Sequence, residues 1–429
     1  MLKLSSKYLA SMSVVVYLLY AFFSDLIGVT FRAPIYRCSL WLFSIMLIII
    51  ATNSYRTFRM PKGMLIIIVV SLAFVLIRNQ ALKNHDYMVT VRWLFCFFFA
   101  ILFVKKPESY RTTINSIVKI GFIHVIATYV FWLIPSLYSS MFHFWGYWPS
   151  GTSSGRLGYK AALTNNYSRN GIMLAIAYLA IFSIILSNTE KHRGKNKLFS
   201  VLFILALFAT ILTTKRAHLI FGILSIITVY YFCNPEKMGS RTFKLIILGV
   251  AGTACLVFFA QYIPALSTVF DRFSSLEGDS TLQSRFTFWR LAISMFKKNP
   301  IIGNGWFAFR YQYRVNLYDT SIRAARYELL DCHNVYIQLL AETGVTGLLF
   351  YLIFVTRVLM LTFTLLRHNR KEIENIGLYT PLIFSALMQV FYLLYSVTGN
   401  CLYDITSAFY FLAVAMTVGS YYRIKKSRG

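Results

Sequence analysis

The chain has 429 residues, of which 57% are hydrophobic, 17% are aromatic and only 14% are charged. This composition is too apolar for a soluble domain and indicates an integral membrane protein. The formal net charge of +28 does not favour a nucleic-acid partner, because the basic residues are scattered and no nucleic-acid-binding module accompanies them.

The sequence predicts an all-α polytopic membrane protein in which residues 1–429 form a single transmembrane domain. Apolar windows of about 20 residues, long enough to cross a bilayer core, recur between short basic connectors. They predict about twelve transmembrane helices. In chain order these helices are residues 8–29, 38–53, 63–79, 89–104, 113–138, 170–187, 197–213, 217–233, 243–262, 334–363, 376–397 and 401–422.

The connectors predict the orientation of these helices. If the N-terminus is cytoplasmic, every predicted inside connector carries Lys or Arg, as the positive-inside rule requires. An even number of helices then places both termini in the cytoplasm. Three longer or polar segments are then predicted on the outer side: residues 139–169, the turn at residues 213–216, and the long connection 263–333 between the ninth and tenth predicted helices.

The connection 263–333 is expected to be an extracytoplasmic loop, and a loop this long in a compact bundle is more often functional than incidental. Apolar residues recur at near-helical spacing from Phe286 to Phe296, and Pro300 ends the run. This pattern predicts an amphipathic helix that rests near the outer membrane interface. The loop also carries a set of arginines, namely Arg285, Arg310, Arg314, Arg323 and Arg326.

His333 and Asn334 end this loop at the predicted start of a helix, which continues to Gly344 and Gly347. The two glycines lie about one turn apart and would let a neighbouring helix approach closely. Asp331 or Asn334 suits the helix cap. For His333 two interpretations stay open. It is either an interfacial capping residue or a neutral imidazole that accepts a proton from a hydroxyl group.

Basic residues at the predicted outer face are candidates for binding an anion. Lys215 and Arg216 lie at the end of an apolar helix, with His218 just beyond, and such charges are either functional or snorkel to the interface. Arg285 lies at the head of the predicted amphipathic helix, at the expected depth of a lipid-linked phosphate. A guanidinium group fits phosphate oxygens with a planar fork of donors that lysine lacks.

Two further outer segments are polar. Residues 165–170 form either a helix cap or part of a sugar-binding site. Residues 398–404, which include Asn400, form either a turn or part of the same site. Asp404 lies within an apolar segment and needs a partner there, for which an arginine of the long loop is expected.

No metal site is expected. The six cysteines lie far apart, without the paired spacing of zinc ligands or of a disulfide framework. The acidic residues in the second half of the chain form no carboxylate motif of the kind that holds a divalent cation.

Four motifs occur along the second half of the chain: Thr214-Lys215-Arg216, Arg285-x3-Trp289, Asn299-Pro300-Ile301-Ile302-Gly303-x-Gly305, and His333-Asn334-x9-Gly344-x2-Gly347. Together they resemble the O-antigen polymerase and O-antigen ligase family of bacterial envelope glycosyltransferases. The resemblance covers residues 165–415, whereas the earlier helices match by hydropathy alone. It implies a GT-C-like helical fold and substrates linked to undecaprenyl diphosphate, with no nucleotide sugar, cofactor or required metal.

The resemblance also implies roles for individual residues. By position, His333 is similar to the family's candidate base, and Arg285 and Arg216 are similar to its diphosphate-binding arginines. Lys215 precedes Arg216 where ligases usually have a small polar residue, so either side chain of this pair is a candidate contact. The substrate-binding candidates are Asn334, Arg169, Asn166, Arg310, Arg314, Arg326, Asn400 and Asp404.

The function expected from the resemblance is a polysaccharide polymerase of the bacterial inner membrane, with an active site that faces the periplasm. Its donor and acceptor would both be oligosaccharides carried on undecaprenyl diphosphate in the lipid bilayer, and the transfer would invert the anomeric configuration. Chain length would be set either by the enzyme or by a regulatory partner, and both alternatives stay open.

Two alternatives accompany this expectation. An O-antigen ligase would transfer the glycan to lipid A core, and it differs from a polymerase only in its acceptor. A flippase or transporter for lipid-linked oligosaccharides belongs to another class, but transporters usually show broken helices and midplane charges. Here the clearest charges cluster at one predicted face.

Overall fold

A computed structural model describes residues 5–30, 34–52, 88–145, 159–187, 193–233, 280–310, 331–368 and 370–428. Within these ranges the chain is almost entirely helical and contains no β-strand. The predicted helices 63–79 and 243–262 and the candidate residues Arg314 and Arg326 lie outside the described residues.

The described helices are α1 (Ser6–Thr30), α2 (Pro34–Thr52), α3 (Met88–Lys105), α4 (Glu108–Leu133), α5 (Pro135–Trp145), α6 (Tyr167–Ser187), α7 (Arg193–Leu212), α8 (Arg216–Cys233), α9 (Ser280–Lys298), α10 (Val335–His368), α11 (Arg370–Asn375), α12 (Tyr379–Tyr395) and α13 (Thr406–Arg428). With one exception, each predicted span within the described ranges coincides with one of these helices. The span 113–138 was predicted as one helix, which is wrong, because Pro135 divides it into α4 and α5. Proline disfavours a helical conformation for the residue before it, here Ile134.

The fold is that of a polytopic α-helical membrane protein. Among the described helices, α1, α4, α6, α8 and α10 are long and apolar enough to cross a membrane. Shorter apolar runs lie in α2, α3, α7 and α12. The total of twelve spans and the GT-C-like arrangement stay predictions.

The helices pack around a fully buried centre. α13 packs against α3 and α12, and α6 lies between α4, α7 and α12. Every side chain of α6 from Asn170 to Ile181 is buried, which is consistent with its central place. The predicted amphipathic helix is present as α9, whose apolar face packs against the start of α10.

A close backbone contact joins the segment after α9 to a break in α10. Gly344 interrupts α10 with φ +66° and ψ −170°. At this break the Val345 N–H donates to the Pro300 carbonyl at 2.9 Å, and the Gly305 N–H donates to the Glu342 carbonyl at 2.8 Å. The expected neighbour of Gly344 was another helix, and that expectation is wrong, because the neighbour is this loop segment.

Two glycines make this contact possible. A Cβ atom on Gly344 would lie 2.3 Å from the Ile301 carbonyl oxygen. A Cβ atom on Gly303 would lie 2.3 Å from the Glu342 carbonyl oxygen. The two glycine motifs are therefore the two sides of one contact, which fixes α9 against the beginning of α10.

We expect Gly344→Ala to destabilise the protein by about 2 to 4 kcal/mol, because it adds both a backbone clash and a strained positive φ. Thermal unfolding of the detergent-solubilised protein measures this loss. Gly377→Ala is the matched control, since Gly377 also has φ +70° but its Cβ would meet nothing within 4 Å. Equal destabilisation by the two variants would contradict a role for the close contact.

Candidate functional site

The candidate site centres on the short loop 331–334 that enters α10. The Cys332 N–H donates to the Gln338 side-chain oxygen at 2.9 Å, and the Cys332 carbonyl accepts from the Trp289 indole at 3.1 Å. The His333 N–H donates to the Asn400 side-chain oxygen at 2.9 Å. Side chains from three separate segments thus hold the backbone that leads into His333.

His333 adopts φ +56°, in the left-handed region that non-glycine residues rarely occupy. Such a conformation persists where the surroundings over-determine it, and it often marks a functional position. The partly exposed imidazole lies beside the Phe288 ring of α9, with 6.1 Å between the ring centroids. The loop therefore presents His333 in one defined orientation.

The environment of His333 favours its neutral form. Burial, together with the positive charges of Arg285 and Lys215, lowers the pKa of His333 from 6.5 to about 4, and the negative charge of Asp331 opposes this shift. The Phe288 ring beside the imidazole lies one turn along α9 from Arg285, so Arg285 approaches His333 on this helix, and Lys215 lies close enough for its charge to act on the imidazole. At neutral pH the imidazole is unprotonated, so one ring nitrogen has a lone pair that accepts a proton.

We expect Arg285→Gln to raise the pKa of His333 from about 4 toward 6.5, because a nearby positive charge disfavours the imidazolium form and its removal makes protonation easier. The pH dependence of the His333 NMR signal in histidine-labelled protein measures this pKa, and the signal is assigned by its loss in His333→Asn. Arg290→Gln is the control, because Arg290 is an exposed residue of the same helix. An unchanged titration in Arg285→Gln would contradict the proximity of the two groups.

Lys215 and Arg216 lie at the turn between α7 and α8. Thr214 has φ +59° and makes this turn tight. The Lys215 ammonium lies 4.1 Å from the centroid of the Tyr167 ring at the start of α6, a cation–π distance. Arg216 is the partly exposed first residue of α8. The turn therefore brings at least one cation to the site.

Arg285 approaches the site from α9. Its Nε atom is buried and has no hydrogen-bond partner within the part of the chain that the structure describes. Its charge acts on His333 and on the hydroxyl of Tyr395, which is hydrogen-bonded to Ser168. A buried donor without an acceptor is uncommon, and an anion beside Arg285 would supply the acceptor.

Arg310 and Asn334, two predicted substrate contacts, have partners within the protein. The Arg310 guanidinium donates through Nε and Nη2 to the two carboxylate oxygens of Asp331, and its carbon lies 5.0 Å from the Phe307 ring centroid. The Asn334 side-chain oxygen accepts from the Ile337 N–H at 3.0 Å and caps α10. Both residues hold the His333 loop in place.

The predicted segment 165–170 also serves the fold. The Asn166 side chain accepts from the Arg169 N–H at 2.9 Å and caps α6. The Arg169 side chain forms an ion pair with Asp25 of α1. The structure thus places these two candidates at the entrance of α6, where they join α6 to α1.

Asp404 has a partner that the sequence interpretation missed. One of its carboxylate oxygens caps α13 by accepting from the Thr406 N–H at 2.7 Å. The nearby arginine is Arg92 of α3, which donates to the Asp404 carbonyl and, at 3.2 Å, to the Ser407 hydroxyl. The expected partner was an arginine of the long loop, so that expectation is wrong for the residues that the structure describes.

Residues 201–352 match the family model described as O-antigen ligase. This range contains Lys215, Arg285 and His333. The match confirms the resemblance to the O-antigen polymerase and ligase family that the motifs predicted. No curated protein matches the chain significantly.

Proposed function

We propose that this chain, with its O-antigen ligase family match, is a membrane glycosyltransferase that joins oligosaccharide repeat units carried on undecaprenyl diphosphate. It is then an O-antigen or capsular polysaccharide polymerase, and it works at the outer face of the bacterial plasma membrane with both termini in the cytoplasm. The observation that carries the proposal is the placement of His333 beside Phe288, one turn along α9 from Arg285, where the positive charges of Arg285 and Lys215 act on the imidazole and favour its neutral form. Transfer from a lipid diphosphate needs a proton acceptor for the incoming hydroxyl and positive charge for the departing diphosphate.

His333 acts as the general base. Its unprotonated ring nitrogen takes the proton from a hydroxyl group on the non-reducing sugar of the acceptor unit. The hydroxyl oxygen attacks the anomeric carbon of the donor glycan from the side opposite to the diphosphate. The bond between that carbon and the phosphate oxygen breaks, and its electron pair leaves with undecaprenyl diphosphate. The anomeric configuration is inverted.

Arg285 and Lys215 bind the diphosphate, with Arg216 as the alternative contact in the same turn. Their positive charge stabilises the negative charge that develops on the leaving group, at about 2 to 4 kcal/mol per well-placed donor. The bound diphosphate also offsets the cations that lower the pKa of His333. Binding of the lipid-linked glycan donor therefore makes His333 a stronger base at the moment when the acceptor hydroxyl must lose its proton.

An O-antigen ligase is the second candidate, because the matching family model carries that description. A ligase uses the same base and the same diphosphate contacts, but its acceptor is lipid A core. The polymerase is preferred because the Asn165-to-Asn170 segment, the Lys215-Arg216 pair and the break at residues 398–404 resemble those of polymerases.

Reconstitution in lipid nanodiscs tests the proposal. Nanodiscs enclose no compartment, so a flippase or transporter produces no signal in them. Synthetic undecaprenyl-diphosphate repeat units are supplied with or without lipid A core, and the products are separated by size. We expect a ladder of multiple repeats from the repeat unit alone. Product that requires lipid A core would instead identify a ligase, and no product under either condition would contradict glycosyl transfer.

A further inference from the structure

Two buried polar residues of α10 lie one turn apart behind the His333 loop. Gln338 is 1% exposed and Glu342 is fully buried. Burial of a carboxylate is costly unless hydrogen bonds compensate it. The hydrogen bonds of these two residues must therefore compensate the cost of their burial.

Gln338 holds both residues that precede His333. Its side-chain oxygen accepts from the Cys332 N–H at 2.9 Å, and its side-chain nitrogen donates to an Asp331 carboxylate oxygen at 3.3 Å. The same nitrogen donates to a Glu342 carboxylate oxygen at 3.0 Å. Because Asp331 and Cys332 lead directly into His333, the Gln338 side chain sets the path of the backbone at that point.

Glu342 connects the segments that support the site. It accepts from the Gln338 side chain, from the Tyr403 hydroxyl at 2.7 Å and from the Phe309 N–H at 3.4 Å. Tyr403 belongs to the same connector as Asn400, whose side chain accepts from the His333 N–H. Glu342 thus joins α10, the segment after α9 and the connector between α12 and α13 at one carboxylate.

The donors around Glu342 have a functional implication. In the described part of the chain they are all uncharged, so hydrogen bonds rather than an opposite charge compensate the burial of this carboxylate. What the arrangement does provide is one defined geometry. That geometry includes the left-handed conformation of His333 and the position of its ring beside Phe288.

We propose, on the basis of the function proposed above, that Gln338 and Glu342 are positioning residues. They hold His333 in a fixed position relative to Arg285 and Lys215. They touch neither substrate nor the reacting atoms. Their effect falls on the rate of sugar transfer, whereas binding of the diphosphate by Arg285 and Lys215 continues without them.

The test compares Gln338→Leu and Glu342→Gln with a matched control. Gln389→Leu also removes a fully buried glutamine with several hydrogen bonds, since the Gln389 side chain donates to Thr362 at 2.8 Å and to Ser385 at 2.9 Å. Gln389 belongs to α12, and its hydrogen-bond partners in the described ranges are Thr362, Ser385 and Thr417 rather than residues of the His333 loop. It therefore reports the cost of losing a buried glutamine alone.

We expect Gln338→Leu and Glu342→Gln to lower kcat by about 10- to 100-fold with little change in KM for the lipid-linked donor. Gln389→Leu is expected to keep its kcat even if its thermal stability falls as much as that of the other two variants. A raised KM with unchanged kcat, or equal losses of kcat in all three variants at equal stability, would overturn the positioning role.

A second measurement separates this role from the proposed function. The NMR signal of His333 is expected to shift in Gln338→Leu, and its pKa is expected to rise from about 4 as the ring moves away from the cations. Gln389→Leu leaves both unchanged. If the nanodisc assay gave no product, the proposed function would be wrong, and if His333→Asn polymerised normally, His333 would not be the base. In either case this spectrum would still decide the positioning role. An unaltered His333 signal in Gln338→Leu would overturn that role even if His333 proved essential.

Discussion

Replacement of His333 with asparagine is expected to slow polymer formation by about 10²- to 10⁴-fold, the range that general base catalysis contributes. Asparagine accepts the left-handed conformation of this position more readily than most residues, so the loop keeps its shape. Its side chain forms hydrogen bonds but takes up no proton at neutral pH. The loss therefore reports proton transfer rather than folding.

The rate of repeat-unit addition in nanodiscs measures this effect, with protein amount and thermal stability matched to the wild type. His333→Ala provides a comparison, because alanine at φ +56° adds backbone strain to the loss of the base. Both variants are expected to lose activity, but His333→Ala also loses stability. Wild-type activity in His333→Asn would show that His333 is not the base.

Local features of the fold were predictable from the sequence. Helices and caps depend on residues within one or two turns, so hydropathy located the spans and the short polar residues marked the caps. Asn166 and Asn334 both cap helices, as one of the two interpretations of each predicted. The break before Pro135 was also visible locally, and a strict reading of proline's effect on the preceding residue finds it.

Contacts between distant residues were not predictable. In the sequence Gly303 and Gly344 belong to separate motifs, although each is a glycine because of the backbone of the other. The pairing of Arg92 with the Asp404 segment joins α3 to the start of α13, and no spacing in one sequence encodes it. The sequence did contain one signal for Arg92. A charge within an apolar helix is costly and marks a residue that needs a partner.

The candidate site shows the same division. The motifs singled out His333, Arg285 and Lys215, and the structure brings these three into one neighbourhood. Arg310 was singled out by its charge alone, and its partner is Asp331. Charge identifies a residue that needs an opposite charge, but it does not tell whether a substrate or the protein supplies it. The functional roles of all these residues stay predictions.

Replacement of Arg285 with alanine is expected to lower kcat/KM by about 10²- to 10³-fold, as the loss of one well-placed donor to a developing negative charge does. Arg285→Lys is expected to recover only part of this loss, because an ammonium group lacks the planar fork that binds two phosphate oxygens together. Arg290→Ala is the control on the exposed side of α9. Full activity in Arg285→Lys would contradict a bidentate contact.

A double-mutant cycle with Lys215→Met then decides whether Arg285 and Lys215 bind the same diphosphate. Two cations that act on one leaving group are coupled, so the double variant is expected to lose less activity than the product of the single losses. Losses that multiply would place the two cations at independent sites. Arg216→Met in the same cycle identifies the contact within the turn, because only the residue that binds the diphosphate shows coupling with Arg285.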